Sequence, residues 1–163
     1  MKALWLVLSC LVMSALAVGQ AVDKPFQYRG SVYGLANLGF CVHGYAFYGG
    51  GGGGEALVFK GLSVGGEGSY NTFSDRWRVG FLTAQVGYHF GDRKKRLGSD
   101  PFVSFGIGST FDSTRDRPTH SANAGGGATY WFKERVGLRI EGRAMSVGNS
   151  DLVIVGRIGV SFR

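Results

Sequence analysis

Arg139, Glu141 and Arg143 stand two residues apart, interleaved with Leu138, Ile140 and Gly142. At that spacing the charges share one face of a strand and the apolar residues share the other. Three such charges cannot enter an apolar core without partners. They face water, or they fill a polar interior where guanidinium meets carboxylate through paired hydrogen bonds. Arg157 holds the same place in the following alternating stretch, and Arg29, Glu55 and Glu67 hold it in earlier ones. The chemistry within reach of this set is ion pairing. Arg29, Arg139, Arg143 and Arg157 against Glu55, Glu67 and Glu141 can build a hydrogen-bonded plug, or line a narrow gated conduit.

The sequence offers catalysis less. His120 precedes Ser121, with Asn123 beyond, but adjacent strand residues point to opposite faces and do not make a nucleophile–base pair. His43 and His89 have no evident Ser and carboxylate constellation, and the three histidines lack metal-ligand spacing. Cys41 reads as a small residue near a loop. It stands alone once Cys10 leaves with the leader described below, so no intrachain disulfide is expected. The run Gly49 to Gly54 is followed by Glu55 rather than Lys-Ser/Thr, so it does not cradle phosphate. Neither an enzyme, a cofactor nor a metal site is expected.

The elements that position the charges are strands. Leu152 to Phe162 alternates with Leu152, Ile154, Gly156, Ile158, Val160 and Phe162 on one face, and Val153, Val155, Arg157, Gly159 and Ser161 on the other. Val136 to Met145 precedes it. Further strands read from Phe26 to Ala36, somewhere between Val42 and Val58, from Leu62 to Tyr70, from Leu82 to Phe90, from Val103 to Phe111, and from Ser121 to Phe132. Turns are expected over Asn37 to Phe40, at Phe59-Lys60-Gly61, over the polar loop Asn71 to Arg76, and over the basic stretch Gly91 to Ser99. The glycine run is expected to form a bulge or a sharp bend.

These strands make eight in up-and-down order, each near the ~10 residues that cross a bilayer when tilted. With the N-terminus periplasmic, aromatics gather at periplasmic strand ends: Phe26, Tyr28, Phe59, Tyr88, Phe90, Phe102, Tyr130, Phe132 and Phe162. Tyr70, Phe73, Trp77 and Phe111 form a second set toward the outer ends. Two girdles one strand apart suit a membrane barrel and have no purpose in a soluble sandwich. The predicted fold is therefore all-β: an eight-stranded antiparallel transmembrane barrel, its lumen about as wide as packed side chains.

Lys2 and the apolar run Ala3 to Val18 form a secretory signal peptide, cleaved after Ala21 (or after Ala17), with the barrel over residues 22–163. Glycine, 29 of 163 residues, far exceeds the usual ~7%. The net charge of +7 suits an anionic partner, but no basic-and-aromatic nucleic-acid motif accompanies it.

Gly125 to Met145 (GGGATYWFKERVGLRIEGRAM), the closing IGVSFR and Phe59 to Tyr70 (FKGLSVGGEGSY) together resemble the OmpA-like outer-membrane β-barrel family. The resemblance implies a small monomeric barrel with a structural or surface-exposed role, inserted by the barrel assembly machinery and ringed by phospholipid and lipopolysaccharide. It makes Gly159 and Phe162 a C-terminal assembly signal, although Arg163 follows where such barrels commonly end in an aromatic residue. No peptidoglycan-binding domain follows, so wall tethering is not carried over. Some eight-stranded barrels are lipid A deacylases using a His and a Ser, a role that His120-Ser121 does not fit. Arg93 to Arg96 would meet phospholipid headgroups, and Arg76, Arg78, Arg115 and Arg117 lipopolysaccharide phosphates. The alternative is a secreted soluble barrel binding a small lipophilic ligand, with apolar residues inside and charges outside.

Overall fold

Alternating sequence becomes alternating burial throughout the chain. The computed structural model describes residues 29–42, 44–73, 77–91, 96–113, 117–147 and 151–163, with Trp77, Val147 and Asp151 described by backbone only. Within them run β1 (Gly30–Cys41), β2 (Ala46–Phe59), β3 (Leu62–Phe73), β4 (Trp77–His89), β5 (Gly98–Asp112), β6 (Thr119–Lys133), β7 (Val136–Val147) and β8 (Asp151–Phe162). Each strand pairs antiparallel with the next, and β1 pairs with β8 from Val32↔Phe162 to Cys41↔Val153, closing the barrel. Closure leaves no free strand edge, the condition for spanning hydrocarbon with strands. The expected signal peptide and the domain start at residue 22 lie outside the described residues, as do Phe26, Tyr28, His43, Arg76, Arg93 to Lys95 and Arg115.

Several boundaries differ from expectation. Gly49 to Gly54 neither bulges nor bends. All six pair in unbroken register with Asn37 to Val32 on β1 and with Asn71 to Gly66 on β3. Backbone ladders need no side chain, so two complete neighbours hold the run extended despite its low strand propensity. The register shift falls at Leu57/Phe59 instead. The turn expected over Asn37 to Phe40 is strand, because β1 continues to Cys41 and the chain reverses between Cys41 and Ala46. Strand β3 runs on to Phe73, and β5 begins at Gly98. The tight turn at Lys60-Gly61 is present, with φ of 37° and 98°, the doubly positive pattern of a two-residue hairpin.

The outer face is apolar: Leu38, Leu82, Val86, Val103, Phe105, Ile107, Ile140, Ile154 and Ile158 are all exposed. Phe59, Tyr88, Phe90, Tyr130, Phe132 and Phe162 are exposed around the mouth where β1 starts and β8 ends, here the terminal mouth. Phe40, Tyr45, Tyr48, Tyr70 and Phe111 are exposed toward the distal mouth. Phe102 and Phe73 belong to neither girdle. They are 3% and 2% exposed, inside the barrel, because Phe102 shares a rung with inward His89 and Phe73 one with inward Phe47. Position along the strand suggested a girdle, but the pleat decides the face.

Candidate functional site

The lumen is the site, and glycine makes room for it. Across adjacent strands Glu55 faces Gly65, Glu67 faces Gly53, Arg139 faces Gly159, Glu141 faces Gly127 and Arg143 faces Gly125. A Cβ at Gly127 would stand 2.8 Å from the Glu141 Cα, and one at Gly53 would stand 2.9 Å from the Tyr33 hydroxyl. Each long charged side chain thus crosses a lumen that its neighbour has vacated.

Glu141 is the hub. Its Oε1 accepts from Arg143 Nε at 2.7 Å and Arg157 Nη1 at 3.2 Å, and its Oε2 from Arg139 Nε at 3.3 Å; Arg143 Nη2 closes a second contact to Oε1. Glu67 Oε1 accepts from Arg157 Nη2 at 2.6 Å and from Arg143 Nη1 at 3.4 Å, and Tyr33 donates to its Oε2 at 3.2 Å. Arg139 reaches Glu55 at 2.9 Å, and Ser31 donates to the same oxygen at 2.8 Å. The Arg139 guanidinium also lies between two rings, 4.2 Å from the Tyr33 centroid and 3.9 Å from that of Phe102. Arg143 and Arg157 extend the web to Gln85 and Asn37, at 3.3 and 3.2 Å. Multiple partners per charge offset a desolvation that a single pair would not recover.

His89 stands at the terminal side of this web. Its Nδ1 is 3.0 Å from Asp100 Oδ2 and its Nε2 is 3.2 Å from Glu55 Oε2. An imidazole donates to two carboxylates at once only in its doubly protonated form, which would set His89, Arg139, Arg143 and Arg157 against Glu55, Glu67, Glu141 and Asp100. The parity of Tyr33, Gln85, His89 and Asp100 was readable in the sequence, but their partnership required the closed barrel. Toward the distal mouth the filling changes character. Cys41, Phe47, Phe73, Val79, Phe81, Met145, Val153 and Val155 form one buried apolar cluster, with the Phe47 and Phe73 rings stacked at 4.5 Å. The lumen is therefore filled twice over, by ion pairs and by hydrocarbon.

Glu55, Glu67, Arg139, Glu141, Arg143 and Arg157 meet in this web. Arg29 does not. It is exposed one residue before β1, beyond the terminal mouth, so its inward parity places it in solvent rather than in the lumen. Gly159 faces the lumen, where an added Cβ would stand 2.8 Å from the Leu35 Cα on β1, and Phe162 is exposed on the outer face. Arg163 folds under the terminal mouth. Its guanidinium lies 4.2 Å over the Trp131 ring and donates to the Glu134 carbonyl at 2.8 Å and to the Arg96 carbonyl. His120 is exposed on the outer face opposite Ser109, while Ser121 is buried in the lumen.

No protein-family model and no curated protein matches the chain. Solved structures do. The N-terminal β-barrel domain of Pseudomonas aeruginosa OprF matches with a TM-score of 0.57 at 22% identity, over 81% of this chain and 96% of that one. Neisserial surface protein A matches with a TM-score of 0.66 at 10% identity, over 82% and 94%. The outer membrane enzyme PagL matches at 0.58 and 12% identity, over 81% and 99%. The fold is that of the small outer-membrane β-barrels. At these identities the likeness is one of architecture, and it agrees with the apolar exterior and polar lumen already described. A soluble barrel for a lipophilic ligand would have the reverse arrangement, so that alternative fails: the charges are inside and the apolar surface is outside.

Proposed function

We propose that this chain is an integral outer-membrane barrel with a structural or surface-exposed role, a lumen closed by paired charges, and no catalytic activity. The observation that carries the reading is Glu141 holding three guanidiniums inside a closed barrel whose outer face is hydrocarbon-like. Every strand except β6 contributes a side chain to the charged web, and the apolar cluster backs it toward the distal mouth. Such a filling supports the fold and blocks steady passage of ions. His89 is engaged by two carboxylates, and among the described residues His120 has no hydrogen-bonded hydroxyl, so neither histidine is set up as a general base. The protein would be exported by the leader over residues 1–21, inserted as a monomer by the barrel assembly machinery, and surrounded by phospholipid and lipopolysaccharide.

Fractionation with heat-modifiability gels tests location and fold together. The protein should require detergent for release and should migrate differently before and after boiling. Planar bilayer recording tests the closed lumen. Large, stable single-channel steps from the unmodified protein would overturn the plug and favour a conduit built from the same charges.

A further inference from the structure

We infer that the terminal mouth carries a collar that selects anionic lipid headgroups, a proposal that rests on the membrane-barrel reading above. Four exposed cations ring this mouth: Arg29 before β1, Lys60 in the β2–β3 turn, and Lys133 and Arg135 at the β6–β7 turn. Among the described residues none of the four has a carboxylate partner. The exposed carboxylate at this rim, Glu134, is already held by Arg96 at 2.7 Å, and Asp100 is buried against His89. The rim therefore carries a surplus of positive charge that the protein does not neutralise itself.

The position of these cations says what neutralises them. At two separate hairpins a cation directly follows an exposed girdle aromatic: Phe59-Lys60 and Phe132-Lys133. Aromatic side chains of such girdles sit at the boundary between hydrocarbon and headgroups, so the next residue outward lies among the headgroups. The Lys60 ammonium lies 5.2 Å from the Phe59 ring centroid, which keeps its charge beside the girdle at the rim. Cations at this depth attract phosphate-bearing anionic lipids. A phosphatidylglycerol-type headgroup has a net charge that a zwitterionic headgroup lacks, so the collar should discriminate between the two.

The full protein is reconstituted in phosphatidylcholine bilayers, and the association of spin-labelled phosphatidylglycerol with the barrel is compared with that of spin-labelled phosphatidylcholine. Phosphatidylglycerol should be favoured at low salt, by a margin that shrinks in ~1 M salt. Each of Lys60→Gln, Lys133→Gln and Arg135→Gln should reduce the preference by up to about fivefold. Lys60→Arg and Lys133→Arg, which keep a cation at the rim, should leave it unchanged. Equal association of the two lipids with a heat-modifiable, inserted barrel overturns the collar and leaves the barrel reading standing. So does a preference that survives the triple substitution, or binding of a soluble polyanion such as dextran sulfate without lipid preference. A protein that fails to insert in any bilayer overturns the barrel reading, and the collar falls with it.

Discussion

Arg139 and Glu55 are 84 residues apart in the chain and 2.9 Å apart in the lumen. They lie on β7 and β2, which are not neighbours in the barrel, so this contact crosses the lumen rather than following a ladder. Side chains that meet across the interior tie opposite walls together. The same feature that fills the pore therefore also braces the barrel.

Glu141→Ala should be the most damaging single loss in the web. It leaves Arg139, Arg143 and Arg157 buried with fewer counter-charges, and breaking a buried pair costs about 3–5 kcal/mol. Urea unfolding in lipid vesicles should show a large drop in midpoint. A shift within error would mean that the web contributes little to stability.

Gly127→Ala should hinder folding because its Cβ has no room beside the Ile140 carbonyl and the Glu141 Cα. Overpacking of this kind costs about 1–3 kcal/mol. Gly142→Ala, on the outer face with nothing within 4 Å of its Cβ, should be tolerated. The paired yields of heat-modifiable barrel check the assignment of glycine to lumen space, and equal yields would refute it.

Phe47→Ala removes one ring of the stacked Phe47–Phe73 pair from the distal apolar cluster. The expected cost is about 3–5 kcal/mol, typical of deleting a buried Phe side chain. If the charged web alone closes the lumen, bilayer recordings of this variant should remain silent despite the lower stability. Steady conductance would assign the seal to the apolar cluster instead.

Phe162→Ala should lower insertion yield and leave protein in the periplasm, since Phe162 is an exposed girdle aromatic on the closing strand. Normal yields of folded barrel would remove Phe162 from the assembly signal and shift attention to Arg163, whose guanidinium is docked on Trp131.

Much of this protein was legible before folding, because a strand has a period of two and hydrocarbon tolerates no charge. Leu138, Ile140 and Gly142 alternating with Arg139, Glu141 and Arg143 decided which face was outside, and Leu152 to Phe162 repeated the decision. Local alternation could not say where a strand stops. Arg29 has inward parity yet lies beyond the mouth, and Phe102 stands at girdle height yet points inward. The glycine run carried no pattern at all. Its extended form was imposed by ladders on both sides and by the need for space opposite Glu67. Nor could periodicity pair residues across the lumen. That Arg139 meets Glu55, that Glu141 gathers three guanidiniums, and that His89 bridges Glu55 and Asp100 depend on the register at which β8 closes against β1. That register is a property of the whole barrel, since the alignments of all eight strand pairs together set which rungs face each other across the interior.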